Sequence, residues 1–214
     1  MEFVTITAVI PLRGSTFLVS TDCSGEAVAM DYEIVYCRGI RQGRRLTPAQ
    51  WEDAVEAEML RNARNQAIRL ISIRDMTSGM LYKKLLDKGI RAEAAAKTVA
   101  RCLELGEIND RQYAVRAADY CLITKRYGAA KALQWMLQRG IPRELAKEVL
   151  CQASDRVDTG GQLLSLIEKR YADKLDSGDY RQRQNVIAAL ARRGYRISEI
   201  KSAVSEYLSK QQEN

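Results

Sequence analysis

The order of apolar and polar residues over the first 46 positions is typical of short β-strands followed by a brief helix. Strands are predicted over residues 3–10, 15–21 and 27–30, and a helix over 32–37. Period two places alternate side chains of the first strand on one face: Val4, Ile6, Ala8 and Ile10. A sheet this small is not stable alone, so it has to pack against another element.

A different pattern, with apolar residues three or four positions apart, begins near Thr47 and continues to the end of the chain. Thr47, Pro48 and Gln50 have the spacing of a capping box with proline at the first helical position. Three glycines then follow at intervals of 51 and 54 residues, each between a basic and an apolar residue: Gly89, Gly140 and Gly194. Glycine ends helices in the left-handed conformation, so each is predicted to separate two helices.

Another amphipathic helix precedes each of these helix pairs, which gives a unit of three helices that occurs three times. Apolar residues line these preceding helices: Leu60, Ala63, Ala67 and Leu70; Tyr113, Ala117, Tyr120 and Cys121; Leu164, Ile167, Tyr171 and Leu175. The predicted fold is mainly α, with three tandem three-helix repeats in a curved, elongated array behind a small β-rich extension. The predicted boundaries are 1–47 for the extension, then 48–106, 107–155 and 156–214 for the repeats.

Composition narrows the classes of function. The 214 residues include no histidine, no Gly-rich phosphate loop and no CxxC pair, so the commonest catalytic bases and metal-ligand patterns are missing. We therefore expect no enzyme activity, no metal and no cofactor. No apolar run approaches the ~18 residues of a membrane span, and the first residues do not resemble a secretory signal. These features favour a cytoplasmic monomer whose five cysteines are buried as small apolar residues.

The net charge of +7 comes entirely from the helical part, because residues 1–48 hold five basic and five acidic groups while residues 49–214 hold 29 and 22. Such a surplus favours a polyanionic partner. Basic residues recur at equivalent places in the three repeats, with Lys125 in the second group. This pattern gives eleven candidate residues for binding a partner or DNA: Lys83, Lys84, Lys88, Arg91, Arg126, Lys131, Arg139, Arg143, Arg192, Arg193 and Arg196.

Plainer interpretations of these residues stay open. Any one of the cations can belong to a solvated helix face or oppose a helix dipole. The basic segment 38–45 fits a contact with DNA or an ordinary solvated connection. Tyr113, Tyr120 and Trp135 lie at helical spacing, which favours packing in the core or between repeats over base stacking.

The centre of the chain carries a recognisable series of motifs. Residues 106–114 read GEINDRQYA, Tyr127-Gly128 follows, and residues 137–141 read LQRGI. Together with LYKKLLDKGI at 81–90, and with Arg74 before a Ser-rich helix start, these motifs resemble the RecX family of bacterial regulatory proteins over about residues 55–210. Two positions depart from that family: Gly79 stands where a carboxylate is expected, and Arg111 follows Asp110 where a second acidic residue is usual.

The resemblance adds Arg74 as a twelfth candidate for binding a partner or DNA, and it implies a regulator of the RecA recombinase. Its partners would be the RecA filament and the single-stranded DNA within or beside that filament. RecX proteins are similar to a curved stack of three three-helix repeats that lies in the filament groove. The implied effect is modulation, chiefly inhibition, of ATPase, strand exchange and coprotease activities in recombinational repair and the SOS response. The alternative is a helical repeat protein that binds nucleic acid without RecA.

Overall fold

The protein is described from a computed structural model that covers residues 3–23 and 25–212. The chain divides into two compact units. The first comprises Met1–Arg74 and Leu81–Glu107, and the second comprises Asp75–Met80 and Ile108–Asn214. Each unit is described by itself below.

The first unit begins with an antiparallel sheet of four strands: β1 (Val4–Pro11), β2 (Thr16–Thr21), β3 (Val28–Asp31) and β4 (Arg45–Leu46). The strands lie in the order β3-β2-β1-β4, and helix α1 (Tyr32–Cys37) follows β3. The sequence predicted three of these strands and α1. It did not predict β4, because this strand has only two residues, too few to show an alternation of apolar and polar positions.

A β-bulge in β1 changes which of its side chains face the core. The register of β1 against β2 shifts between Ile6 and Ala8. The expected alternation holds for Val4 and Ile6, which are buried, and is wrong for Ile10, which is 51% exposed. Val9 packs against the buried cluster instead, because the extra residue of a bulge reverses the order of the two faces.

Helix α2 (Pro48–Ile73) covers the sheet and begins at the predicted capping box. The Gln50 amide donates to Thr47 Oγ1 at 3.2 Å, and the Thr47 amide donates to Gln50 Oε1 at 3.0 Å. Ala54 of α2 belongs to the buried cluster of the sheet, and Trp51 packs against it. The expectation that the sheet needs a second element is therefore confirmed. Two further helices follow: α3 (Ser78–Asp87) and α4 (Ala92–Glu104).

The second unit contains two further sets of helices, each with its own buried cluster. The first set consists of α5 (Asp110–Asp119), a π-helical turn (Tyr120–Thr124), α6 (Ala129–Leu137) and α7 (Arg143–Ser154). The second consists of α8 (Thr159–Arg170), α9 (Ala172–Asp176), α10 (Tyr180–Arg192) and α11 (Ile197–Gln212). The continuous helix predicted through Leu175 is interrupted at Tyr171, where φ is −131°.

The prediction that three glycines end helices is confirmed. Gly89, Gly140 and Gly194 have φ values of +80°, +71° and +89°, in the left-handed region that favours glycine. At the second of them, the Gly140 amide donates to Leu137 O at 2.9 Å and the Ile141 amide donates to Met136 O at 3.3 Å. These bonds satisfy the last carbonyls of α6 in the manner of a Schellman motif. The mainly α fold with tandem three-helix repeats behind a small sheet is thus the fold of this chain.

The prediction for the cysteines is only half right. Cys102 and Cys121 are buried, but Cys23, Cys37 and Cys151 are exposed. Burial raises the pKa of the Cys121 thiol to about 11, so it stays protonated and apolar near neutral pH.

Candidate nucleic-acid and partner interface

Five candidate cations lie in the first unit, at the ends of its helices. Arg74 follows the last residue of α2, and Arg91 precedes the first residue of α4. Between them, α3 and its C-terminal turn carry three lysines, of which Lys84 is half-buried: Lys83, Lys84 and Lys88. The other four cations are exposed, so most of the charge of this group faces solvent.

The remaining seven candidates lie in the second unit. Three of them are exposed: Arg143, Arg192 and Arg196. Four are half-buried because neighbouring groups cover part of each side chain: Arg126, Lys131, Arg139 and Arg193.

The candidate cations share one property that the sequence did not reveal. Within residues 3–23 and 25–212, none of the twelve side chains forms an ion pair with a carboxylate at 4.0 Å or less. Other cations of the helical part do form ion pairs, such as Arg116 with Asp75 at 2.7 Å and Arg111 with Glu148 at 2.7 Å. The acidic residues of the described part of the chain therefore pair with a different set of cations.

Two glycine pairs in the second unit bring helix starts against helix ends. A Cβ on Gly79 at the start of α3 would lie 2.9 Å from the carbonyl oxygen of Gly140. Likewise, a Cβ on Gly128 before α6 would overlap the carbonyl group of Gly194. Both contacts are closer than side chains tolerate, so backbone meets backbone directly. In this chain Gly79, which stands where the family resemblance predicts a carboxylate, therefore has no room for a side chain.

A hydrogen bond lies beside each of the two glycine pairs. In both cases the accepting carbonyl belongs to a candidate arginine. Thr77 Oγ1 donates to Arg139 O at 2.6 Å. The Gly128 amide donates to Arg193 O at 2.9 Å. We call each glycine pair with its bond a glycine joint. Because the arginine immediately precedes the helix-ending glycine in both cases, each joint fixes the backbone from which a cation projects.

Arg193 is held more tightly than an exposed binding residue. Its Nη2 donates to Lys125 O at 2.9 Å, and the Tyr195 hydroxyl donates to Arg126 O at 3.0 Å. Among the described non-glycine residues, only Arg126 has a positive φ, of +50°. Burial raises the pKa of Tyr195, which keeps its hydroxyl protonated as a donor. Arg193 and Tyr195 thus support a strained turn, a role that the sequence pattern of basic residues did not indicate.

Aromatic rings accompany the cations of the second repeat. The Arg139 guanidinium carbon lies 3.4 Å from the centroid of the Trp135 ring. The Lys131 Nζ lies 4.8 Å from the Tyr127 ring. Such contacts orient a cation while leaving its charge unneutralised. Tyr113 and Trp135 pack against the core as expected, whereas the core prediction for Tyr120 is wrong because this residue is 39% exposed.

Asp110, the family's central carboxylate, has a structural task. It accepts hydrogen bonds from the Ser78 amide and hydroxyl and so caps the start of α3. Arg111, the second departure from the family pattern, faces Glu148 instead. No group of carboxylates and cysteines in the described residues is arranged to hold a metal ion.

Comparison with known proteins places these features in a family. The model for the first three-helix domain of RecX matches residues 63–102, and the model for the third three-helix domain matches residues 161–204. The regulatory protein RecX of Trichlorobacter lovleyi is 34% identical over 131 residues, which are 61% of this chain and 85% of that protein. The chain belongs to the RecX family. The regulatory protein RecX of Caldanaerobacter subterraneus is 25% identical over 179 residues, which cover 84% of this chain and 87% of the relative.

Solved RecX structures share the fold. A crystal structure of regulatory protein RecX has a TM-score of 0.67 at 18% identity and covers 93% of this chain and 99% of its own. RecX from Lactobacillus salivarius has a TM-score of 0.63 at 20% identity and covers 71% of this chain and 97% of its own. No helix among the described residues of this RecX-family chain is long and apolar enough to cross a membrane.

Proposed function

We propose that this chain regulates the RecA recombinase by binding the filament that RecA forms on single-stranded DNA in the cytoplasm. The binding limits ATP hydrolysis, strand exchange and coprotease activity, and so acts on recombinational repair and the SOS response. Membership of a family of regulatory proteins named RecX carries the proposal. The RecA filament is the partner that the motifs at 81–90 and 106–141 imply through their resemblance to that family.

The unpaired cations supply the chemistry that such a partner requires. A RecA filament exposes protein surface together with DNA phosphate, and cations that are free of carboxylates bind phosphate with release of counterions. Twelve candidate cations without an ion pair in the described part of the chain fit that task. Which of them meet DNA and which meet RecA is a question for the variants below.

The glycine joints suit a regulator that acts through binding alone. They hold the backbones of Arg139 and Arg193 by hydrogen bonds of 2.6 Å and 2.9 Å. A protein that binds one filament conformation more tightly than another shifts the filament towards the first conformation. We infer that this RecX-family protein favours a filament state in which hydrolysis and strand exchange are slow, without any catalytic group of its own.

The decisive experiment measures ATP hydrolysis by RecA on single-stranded DNA while this protein is titrated in. We expect hydrolysis to fall with added protein. Arg143→Glu should raise the concentration for half-suppression roughly 3- to 10-fold, because it reverses an exposed, unpaired charge. Its stability should not fall, since Arg143 is the first residue of α7 and a carboxylate there opposes the helix dipole favourably. Lys201→Glu, an exposed reversal on α11 outside the candidate groups, is the matched control and should change little.

One result would overturn the proposal. If equimolar wild-type protein left both ATP hydrolysis and strand exchange by RecA unchanged, the protein would not be a RecA regulator. Binding to single-stranded DNA in the absence of RecA would then favour the alternative, a helical repeat protein that binds nucleic acid by itself.

A further inference from the structure

Four side chains at the junction of α5, the π-helical turn and α6 form a row in which two adjacent rings lie between two cations. Arg139 stacks on Trp135 at 3.4 Å, and the Trp135 and Tyr120 ring centroids lie 5.7 Å apart with an angle of 45° between their planes. The Lys125 Nζ lies 5.3 Å from the Tyr120 centroid. We call Lys125, Tyr120, Trp135 and Arg139 the aromatic row. All four belong to the second unit.

The π-helical turn places one end of the row. The Lys125 amide donates to Tyr120 O at 2.9 Å, which is the i→i+5 bond of a π-helix. This wider turn brings the residue five positions on over the tyrosine ring, where an α-helix would bring the residue four positions on. π-turns inside α-helices occur frequently at functional sites. The turn thus places Lys125 beside the Tyr120 ring, while Cys121 and Leu122 of the same turn belong to the buried cluster.

The exposed ring of the row, that of Tyr120, is not part of the hydrophobic core. Tyr120 is 39% exposed and lies outside the buried cluster of α5, α6 and α7, whereas Trp135 is anchored against that cluster. The neighbouring carboxylate, Asp119, is occupied by Arg156 at 3.1 Å. The row thus presents a fixed indole, an accessible phenol and two cations without an ion pair among the described residues.

We propose that the aromatic row is a stacking platform for the unpaired bases of single-stranded DNA. An exposed ring between cations offers a π-face to a base and positive charge to the phosphates on either side of it. Duplex DNA keeps its bases stacked within the helix, so it can use the cations but not the ring. An acidic protein could likewise use the cations alone. The proposal deepens the proposed function and rests on it for the class of ligand, because it assigns base contacts to a surface otherwise expected to contact phosphate only.

The first test uses the intrinsic fluorescence of the row. The chain has two tryptophans, so Trp51→Phe leaves Trp135 as the only one. The variant is titrated with oligo-dT of about 20 nucleotides, with an abasic oligomer of the same length and charge, and with polyglutamate. We expect oligo-dT to quench Trp135 and to bind about 10-fold more tightly than the abasic oligomer. Equal affinities for the two oligomers would show that only phosphate is bound, and quenching by polyglutamate alone would indicate an acidic protein; either result overturns the platform.

The second test removes the accessible ring. Tyr120→Leu should weaken binding of oligo-dT about 10-fold and leave binding of the abasic oligomer unchanged. Tyr180→Leu is the matched control, since Tyr180 is 73% exposed in α10 of the same unit and outside the row. Circular dichroism and thermal unfolding establish that both variants fold. Should Tyr120→Leu misfold, the comparison of oligo-dT with the abasic oligomer on the folded Trp51→Phe protein still decides.

The two proposals fail in different ways. If Tyr120→Leu binds oligo-dT like the wild type while wild-type protein still suppresses RecA hydrolysis, the platform is wrong and the regulator stands. If the wild type does not affect RecA but distinguishes oligo-dT from the abasic oligomer, the regulator is wrong and the platform stands.

Discussion

Gly128 and Gly194 show how much of this fold depends on the absence of two side chains. Gly128 is buried, and its amide donates to Arg193 O while the Ala130 amide donates to Gly194 O at 3.2 Å. A Cβ on Gly194 would lie 2.6 Å from Lys131 Cβ. The start of α6 and the end of α10 are therefore in backbone contact, and no rotamer can relieve an added carbon there.

Gly128→Ala is expected to destabilise the second unit by about 3 kcal/mol, because the new Cβ would overlap the carbonyl group of Gly194 and force the two backbones apart. Urea unfolding followed by circular dichroism measures the loss. Gly160→Ala is the matched control: its Cβ would meet only Asp158 Oδ1, at 3.5 Å, within the first turn of α8. The control should unfold at the same or a slightly higher urea concentration, since alanine is the better helix former. Equal losses in the two variants would contradict the close contact.

Of the two glycines in each joint, the sequence predicted the structural role of only one, the glycine that ends a helix. A glycine between a basic and an apolar residue is a local signal, because the left-handed helix end depends on neighbouring positions. The partner glycine carries no signal of its contact: Gly79 and Gly128 each lie in a short break of small residues between predicted helices. Contacts between residues far apart in the chain leave no periodicity in a single sequence.

Among the elements, the N-terminal sheet is attached to α2 by a buried carboxylate. Asp31 ends β3, caps α1 by accepting from the Glu33 amide at 3.0 Å, accepts from Ser15 Oγ at 2.5 Å and pairs with Arg61 of α2 at 2.7 Å. Burial raises the pKa of Asp31, but the hydrogen bonds from Ser15 and Glu33 and the charge of Arg61 outweigh it, so the pKa lies below 3.8.

The depressed pKa predicts how acid affects the first unit. The unfolded carboxyl binds a proton at a higher pH than the folded one, so the stabilisation from Asp31 is complete above about pH 4 and is lost as the pH falls through the folded pKa. Asp31→Asn should cost about 2 kcal/mol at neutral pH and flatten the acid dependence. Fluorescence of Trp51 in a Trp135→Phe background reports unfolding of this unit alone.

The control for Asp31 is an exposed carboxylate in the same unit. Asp53 pairs with Arg38 at 2.8 Å, but its side chain is 56% exposed. Asp53→Asn should therefore change stability by less than about 0.5 kcal/mol. A comparable loss in both variants would show that charge, rather than the buried network, holds the sheet to α2.

The elements themselves were largely predictable, and their irregularities were not. The capping box of α2 is written in adjacent residues, so its position was correct. The bulge after Ile6, the π-turn at Tyr120–Thr124 and the break at Tyr171 each insert or remove a residue relative to a regular period. Tertiary packing decides where such shifts occur, and periodicity averages over them. Tyr120 begins the π-turn, where the period of a regular α-helix no longer holds. A prediction based on that regular period therefore placed Tyr120 in the core, although its side chain is exposed.

For the whole molecule, the charge of +7 and its concentration after residue 48 predict binding to single-stranded DNA that weakens as salt rises. Each phosphate contact on a single strand contributes about 0.7 to the slope of log K against log salt. Arg192→Gln with Arg196→Gln should therefore lower the slope by about 1.4. These two are the better choice in their group, because Arg193 is engaged with the carbonyl of Lys125.

The matched double variant is Lys174→Gln with Lys201→Gln, which removes two exposed charges from the same unit outside the candidate groups. Fluorescence anisotropy of labelled oligo-dT across a salt series gives both slopes. The control slope should equal that of the wild type. If both double variants lowered the slope equally, the net charge rather than the candidate positions would govern binding.

The candidate site was predictable as charge and not as geometry. Recurring basic residues are visible in the sequence and indicate eleven of the twelve positions, while the family resemblance indicates Arg74. Which cations are neutralised by carboxylates depends on pairs such as Arg111 with Glu148, which only packing brings together. The support that Arg193 gives to Arg126 was hidden for the same reason.

The glycine joints have a consequence for exchanging repeats between relatives. A repeat transplanted from another member of the family contributes one half of a joint at each end, and each half has to meet a bare α-carbon on the host. In a chimera that keeps Gly194 but receives an alanine in place of Gly128, the new Cβ would clash with the backbone of Gly194. The two repeats could then not pack together as they do here. Crossovers should therefore be placed within helices and away from the glycine pairs.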